Sequence, residues 1–370
     1  MLLMPHVVCF HLYNDFSGSP KVLHTVLKGL LSRGFCIDLI TSKGGVLDGL
    51  EGQGQLVRHS YPYRFSPRPL LTTLRYLAVQ VYTFLLSFRW LFDGDAVFYI
   101  NTLLPAGPAL AGRIMGKRVV YHYHENAFAK GTFYKVLAWL MKHLAHRIIC
   151  VSAYQASFLS SKKTIVVPNA PDADFMQRVR PDPYAAFGRQ TVLMLASLKG
   201  YKGVDEFAAL SLRLPQYKFV LVLNDTQENI DVYFSHPHRA LRGANLTIFP
   251  RQTDVVPFYN RASLVLNLTD KKKTIETFGL TAIEAMCAGL PVIVPTVGGI
   301  AELVSDGENG YKIDIAQLDE IEKRIREILS DESAYTHLAN NALHRAALYN
   351  PSAQAGSIAS ILAFTTTKHI

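Results

Sequence analysis

Short apolar runs alternate along the chain with helix-period patterns, and glycine, proline and small polar residues punctuate the joins. Residues 7–10 (Val-Val-Cys-Phe) form the first run. The turn-rich Asn14-Asp15-Phe16-Ser17-Gly18-Ser19 follows, then a helical pattern over 21–32 that Pro20 opens and Gly34 ends. Further runs lie at 36–41, 96–100, 118–123, 148–151 and 164–167. After Pro168-Asn169-Ala170-Pro171-Asp172 and the proline-rich Arg180-Pro181-Asp182-Pro183 the alternation resumes, with runs at 192–196, 218–223, 246–249, 263–268 and 292–294. Runs this short, alternating with helical patterns, predict strands of parallel sheets with helices on both faces. The break at 180–183 predicts that this happens twice, in domains 1–180 and 181–350. The small-residue pattern at 351–364 predicts a closing helix within 351–370. No internal repeat or low-complexity segment is present.

The most informative stretch reads E-T-F-G-L-T-A-I-E-A-M-C-A-G-L-P-V-I-V from Glu276 to Val294. Leu280, Ile283, Ala285 and Met286 fit a helix period; Gly289 and Pro291 end the helix, and Val292-Ile293-Val294 returns to a strand. In such a unit ligands bind beyond the carboxyl ends of the strands. The unpaired N–H groups at a helix start attract anions. A phosphate at Phe278, Gly279 and Leu280 leaves Glu284, over one turn in, able to accept from ribose hydroxyls. Glu276 reaches a group on the far side of that phosphate.

These residues resemble the donor-site signature of retaining glycosyltransferases of family four, and V-G-G-I-A-E-L-V-S-D-G-E-N-G-Y at 297–311 extends the likeness. The resemblance implies the GT-B fold: two Rossmann-like doubly wound α/β domains facing across a cleft, with a C-terminal helix returning to the first. It implies that Glu284 binds the nucleotide ribose, that Glu276 contacts hydroxyls of the transferred sugar, and that amides of Phe278 to Leu280 hold the distal phosphate. The family's Gly-Arg-x-x-x-x-Lys-Gly clamp is similar to 196–203, where Lys202 and Gly203 match but Ser197 stands in place of the arginine. Either Lys199 supplies the second positive charge, or one lysine and backbone amides hold the diphosphate. Fixed cations are needed because the leaving diphosphate gains negative charge as the glycosidic bond breaks. The strand 119–123 ends in His124-Glu125, which resembles the family's His-Asp or His-Glu strand end; it implies a role for His124 in positioning sugar and acceptor. Gly18 lies where the family places a glycine near the diphosphate. Pro250-Arg251-Gln252 could flank the base, and Lys271-Lys272-Lys273 is read as a solvated run.

His122 and His124 alternate to one face, but two histidines without a third placed ligand do not make a metal centre. Asp-x-Asp occurs at Asp93-Gly94-Asp95 and Asp172-Ala173-Asp174, neither of them in the 196–203 or 276–294 stretches. The expectation is no metal and no cofactor, with the nucleotide-sugar as substrate. The mechanism the family implies is front-face attack assisted by the leaving phosphate, without a covalent enzyme intermediate.

Composition locates the partners. Residues 1–180 carry 20 Lys+Arg against 9 Asp+Glu, a net +11; residues 181–370 carry 18 against 20, a net −2. Such asymmetry points the first half at an anionic partner. Two long apolar segments in that half, 70–92 and 133–149, carry flanking cations: Arg68, Arg75 and Arg89 on one, Lys135 and Lys142 on the other. The uncharged run 76–88 is too short to span a bilayer, so contact with an anionic membrane surface is expected instead. No nucleic-acid recognition motif is present, and no nucleic-acid partner is expected. Cys9, Cys36, Cys150 and Cys287 are isolated and sit in apolar runs, which predicts packed, reduced thiols. Residues 1–10 show no basic region and cleavage site of a signal peptide. The reading is a cytoplasmic glycosyltransferase, peripheral on the inner face of the cell membrane, with a nucleotide-sugar donor and a lipid-linked glycan acceptor. Transfer to a soluble small molecule, a nucleotide-sugar epimerase, and a non-catalytic nucleotide-sugar or lipid-binding module are the alternatives.

Overall fold

The run Val7–Phe10 is buried along its whole length as β1, the strand around which the first sheet grows. A computed structural model describes residues 5–66, 68–128, 130–236, 239 and 242–363. Its contacts separate two units, one holding the chain up to Ala170 with the segment from Pro351, the other Pro171–Asn350.

In the first unit β1 leads into α1 (Gly18–Leu31), followed by β2 (Ile37–Ser42), β3 (Leu56–Tyr61), α2 (Pro69–Ser87), β4 (Val97–Asn101), α3 (Ala106–Ile114), β5 (Arg118–Tyr123), α4 (Thr132–Leu144), β6 (Arg147–Cys150), α5 (Ala153–Ser157) and β7 (Thr164–Val166). The strands form one parallel sheet in the order β3-β2-β1-β4-β5-β6-β7. β1, β2 and β4 are buried at every position, as expected of a sheet covered on both faces. The strand β3 was not foreseen. It is an edge strand reading Leu-Val-Arg-His-Ser-Tyr, and an edge with mostly part-exposed positions needs no apolar run.

The second unit contains α6 (Ala173–Arg178), α7 (Pro183–Arg189), β8 (Thr191–Ala196), α8 (Val204–Arg213), β9 (Lys218–Leu223), α9 (Gln227–Phe234), β10 (Leu246–Phe249), α10 (Val256–Tyr259), β11 (Leu264–Leu266), α11 (Leu280–Cys287), β12 (Val292–Val294), β13 (Gly310–Lys312), α12 (Leu318–Ser330) and α13 (Glu332–Ala346). Its sheet is parallel, in the order β10-β9-β8-β11-β12-β13. Three-residue β13 carries too little pattern to be read from sequence. The expected α/β class, two doubly wound parallel-sheet domains, is what the chain adopts.

The closing helix is α14 (Pro351–Ala363); Phe364 and the rest of the tail lie outside the described residues. It packs on α1, where a Cβ built on Gly29 would stand 2.4 Å from the Ala355 Cβ. Arg33 locks the pair by donating to the Gly29 carbonyl at 2.8 Å and the Ser352 carbonyl at 2.7 Å.

Two expectations need correction. The apolar length of the segment 70–92 is not limited to its uncharged run 76–88. The helix and the 3-10 turn that follows it run from Pro69 to Trp90, 22 residues at a mean hydropathy of 1.2, long and apolar enough by length and composition to cross a membrane. Arg75 is accommodated because its guanidinium donates to the Arg64 carbonyl at 3.0 Å. Tyr76, Val79, Thr83 and Ser87 of α2 are nevertheless buried, and Gly107 of α3 sits against the Gln80 backbone. Leu70, Leu74, Leu77, Val81 and Leu85 are exposed. The second correction is Cys36, which is exposed beside Gln55 at the sheet edge, whereas Cys9, Cys150 and Cys287 are buried thiols.

The α1–α14 contact makes a prediction. Gly29→Val should cost about 1–3 kcal/mol in urea unfolding, because the added atoms overpack a closed helix contact. Gly49→Ala, where nothing lies within 4 Å, should change stability by less than about 0.5 kcal/mol.

Candidate active site

In a doubly wound sheet, the loops leaving neighbouring strands on either side of the order reversal meet at one point. In the second unit that point lies between β8 and β11. The loop after β8 carries Lys199 and Lys202, and the loop after β11 carries Glu276. Lys202 Nζ forms an ion pair with Glu276 Oε1, with both side chains 22% exposed. Thr269 Oγ1 donates to the same carboxylate oxygen at 2.8 Å. Burial opposes the charged form of Glu276, but Lys202, Thr269 and Asn267 outweigh it and hold the carboxyl below its usual range.

Two glycines permit this approach. Gly203, with φ +77°, caps α8, and a Cβ there would lie 2.3 Å from the Leu268 Cβ in the loop after β11. Gly279, with φ +100°, caps α11, and a Cβ there would lie 2.4 Å from Ile300 Cγ1. Neither position has room for a side chain, and both backbones sit where L-residues are strained. The amides of Gly279 and Leu280 thus head α11 a few residues from Glu276. Phe278 contributes backbone only, since its ring is buried in edge contact with Tyr349 at 5.8 Å. Glu284 lies further along α11, and its Oε2 accepts from the Tyr259 hydroxyl at 2.7 Å.

Lys199 is not drawn into the pair. It is exposed, with its ammonium 5.8 Å from the Tyr201 ring centroid, while Lys202 lies 5.9 Å from the same ring. The lysine run at 271–273 is not uniformly solvated. Lys271 pairs with Asp314 at 2.5 Å and donates to Thr296 at 2.9 Å, whereas Lys273 is exposed. Arg251 is held by Asn224 at 2.8 Å.

In the first unit the order reverses between β1 and β4. Gly18 is exposed at the start of α1, after β1. His124 follows β5, and its Nε2–H donates to Asn101 Oδ1 at 2.9 Å at the end of β4. Asn101 Nδ2 donates to His11 Nδ1 at 3.0 Å. His122 lies tilted against His124 at 4.1 Å between ring centroids, and its Nδ1 is hydrogen-bonded to the Tyr99 hydroxyl at 2.7 Å. Burial holds all three imidazoles neutral: His11 is lowered to about 4, His122 to about 3, and His124 well below the ordinary value, helped by its two histidine neighbours. Thr102, beside Asn101, adopts φ +74°, a strained conformation at a non-glycine residue. Glu125 accepts from the Leu103 N–H at 3.1 Å with both oxygens, and burial raises its pKa.

Sequence reasoning missed Asn101 and Tyr259, and named Glu125 beside His124 without giving it a role. Asn101 and Glu125 stood at strand ends, the same signal that singled out His124. Tyr259 lies on a one-turn helix and carries no local signal. Among the described residues no group of three or more His, Cys, Asp or Glu side chains could hold a metal ion.

Two doubly wound parallel-sheet units, the second with a lysine–glutamate pair beside a glycine-capped helix, define the GT-B class. Residues 16–175 match the family described as Glycosyltransferase Family 4, and residues 180–345 match Glycosyl transferases group 1. Each half of the chain therefore carries a glycosyltransferase-family domain. The chain is similar to the sucrose synthase of Denitrovibrio acetiphilus, 39% identical over 74 residues that make 19% of this chain and 9% of the relative. It is similar to the capsular polysaccharide biosynthesis glycosyltransferase CapM of Staphylococcus aureus, 28% identical over 101 residues, 27% of this chain and 26% of that one. The chain thus spans less than half the length of these curated relatives. The crystal structure of Anabaena Alr3699/HepE in complex with UDP and glucose shares the fold, with a TM-score of 0.78 at 18% identity over 98% of this chain and 100% of that one.

The ion pair predicts a pH dependence. Glu276 has a folded pKa below its ordinary 4.5, so its stabilisation is present above that value and lost as pH falls through the folded pKa. Lys202→Met leaves the carboxylate buried and unpaired. It should lower stability by about 1–3 kcal/mol at pH 7, and by less at pH 4 where the proton neutralises the orphan. Urea midpoints of both proteins at the two pH values check this; an equal loss at both would contradict it.

Proposed function

We propose that this chain is a retaining glycosyltransferase that moves a sugar from a nucleotide-sugar to a hydroxyl of a lipid-linked glycan in cell-surface polysaccharide synthesis. The observation that carries the reading is the Lys202–Glu276 pair beside the Gly279 cap of α11. An ammonium and a carboxylate this close, at a helix start, suit a ligand with phosphate at one end and hydroxyls at the other. On donor binding Lys202 exchanges Glu276 for the diphosphate, and Glu276 accepts from sugar hydroxyls. Amides at Phe278, Gly279 and Leu280 take the distal phosphate, and Glu284, held by Tyr259, accepts from the ribose. The acceptor oxygen bonds to the anomeric carbon as the bond to the diphosphate breaks. The acceptor proton passes to the leaving phosphate, and the nucleoside diphosphate departs. Lysine and helix amides neutralise its charge, so the reaction needs no metal. His124, kept neutral by burial, positions sugar and acceptor through a hydrogen bond rather than by charge. The UDP and glucose held by the Anabaena protein of the same fold support a nucleotide-sugar donor.

The membrane part of the reading rests on the first half. Its charge is +11, and α2 offers the exposed stripe Leu70, Leu74, Leu77, Val81 and Leu85. With its other face buried, α2 lies on the surface of the inner leaflet rather than crossing it. The protein is then cytoplasmic and peripheral.

Calorimetry with nucleoside diphosphates and transfer assays test the donor site. Glu284→Ala should weaken nucleotide binding. Glu276→Ala should leave free nucleotide binding nearly unchanged while depressing transfer. Lys202→Ala should cost about 1.5–3 kcal/mol of diphosphate binding. Equal nucleotide affinity across wild type and variants would sink the assignment, and binding without transfer or slow donor hydrolysis would favour a binding module. Activity should survive a chelator, and NMR of the product's anomeric proton should show the donor's configuration retained.

Liposome sedimentation tests the membrane reading separately. Anionic vesicles should retain the protein more than neutral ones, and high salt should release it. Replacing Arg75, Arg89, Lys135 and Lys142 by serine should reduce retention without changing nucleotide affinity. Equal retention on both vesicle types would favour a soluble acceptor.

A further inference from the structure

The strands of the first sheet are parallel, so their amino ends share one edge, opposite the edge that carries His124. At that edge β5 begins with Arg118, β6 with Arg147, and Lys163 precedes β7. The last turn of α3 brings Arg113, and the join between α4 and β6 brings His146. His146 occupies a strand-like position. Its N–H donates to the Val119 carbonyl at 2.8 Å, and its ring Nδ1 accepts from the Val119 N–H at 3.0 Å.

That second bond settles the ring chemistry. An Nδ1 that accepts leaves the neutral imidazole with its proton on Nε2. Yet Nε2 lies 2.6 Å from Arg113 Nη1, so two N–H donors point at each other. Protonating the ring does not help, because Nδ1–H would then oppose the Val119 N–H. Among the described residues no acceptor serves both donors. A second orphan lies in the same group: Arg118 Nε is buried with no hydrogen-bond partner. Lys163 turns to the Lys142 carbonyl at 2.9 Å, and Arg147 to the His146 carbonyl at 3.1 Å. Among the described residues no carboxylate pairs with Arg113, Arg118 or Lys163.

The groups are close enough to repel. Burial, then Arg113, Lys163 and Arg118, lower the His146 pKa; burial and then Arg147 lower that of Arg118; burial and then Arg113 lower that of Lys163. Like charges gathered without a counter-charge destabilise the fold, and a bound anion removes that penalty.

We propose that Arg113, Arg118, His146 and Lys163 form a binding site for a phosphate group, separate from the donor site and independent of the reaction proposed above. Three cations and an imidazole N–H, drawn from four segments, exceed what one carboxylate can satisfy and suit the several oxygens and double charge of a phosphate. The phosphate can belong to an anionic phospholipid headgroup or to a small soluble molecule. Ile114, beside Arg113, and Trp139 on α4 are exposed apolar neighbours in sequence and element for the first case.

The test follows histidine Cε1–H resonances of the full chain by NMR, with that of His146 assigned by its loss in His146→Gln. Inorganic phosphate should raise the His146 pKa by about one unit, since a nearby anion favours the charged ring. Arg118→Gln should weaken the apparent phosphate affinity at least about tenfold; Arg113→Gln, at an exposed side chain, serves if the first variant does not fold. Monomeric dihexanoyl phosphatidylglycerol is the second probe. Stronger response to this lipid than to phosphate identifies a headgroup, and the reverse identifies a soluble phosphate; either supports the site. A His146 titration that neither probe moves, or that both probes move equally in wild type and variants, overturns it.

Discussion

The second unit is organised around a carboxylate that cannot be buried alone. Glu276 leaves water at the end of β11, and only the Lys202 ammonium from the end of β8, with hydroxyl support from Thr269, makes that tolerable. The pair exists because β8 and β11 are neighbours on the two sides of the reversal in strand order. It also depends on two backbones coming closer than side chains allow, at Gly203 and at Gly279. The ion pair, the helix cap and the topology are therefore one arrangement, and loosening any of them moves both charges.

The first unit solves the matching problem without charge. Three imidazoles, an amide and a phenol at the carboxyl end of its sheet are linked by neutral hydrogen bonds, from His11 through Asn101 to His124, with Tyr99 and His122 alongside, while Nε2 of His11 and of His122 stays buried without a partner. Burial keeps the rings uncharged. A neutral, oriented donor or acceptor is well suited to a hydroxyl and poorly suited to a phosphate. The opposite edge of that sheet differs in charge, with cations in place of neutral rings.

Local pattern was enough for most of the architecture. Buried parallel strands are continuous apolar runs, so β1, β5, β9 and β10 could be read residue for residue, and the E-x7-E stretch with its glycine and its terminating Gly-Leu-Pro located α11 and its glycine cap. Strands with little apolar signal escaped, as β3 and β13 did. The helix α2 extends beyond its uncharged run 76–88, and a carbonyl eleven residues earlier in the chain accepts from the Arg75 guanidinium within it.

What the sequence alone determined was which residues are candidates for chemistry: Glu276, Glu284, Lys202 and His124, each marked by its type and by its place after a strand or within a glycine-capped helix. Only the tertiary structure decided which of them meet. It paired Lys202 rather than Lys199 with Glu276, gave Glu284 a buried tyrosine from a distant turn, placed His124 on an asparagine of the neighbouring strand, and set His146 against Arg113. Residue type and local period are properties of a segment. Partnership is a property of strand order and register, which arise from burying apolar faces across the whole sheet and leave no mark in any one stretch of chain.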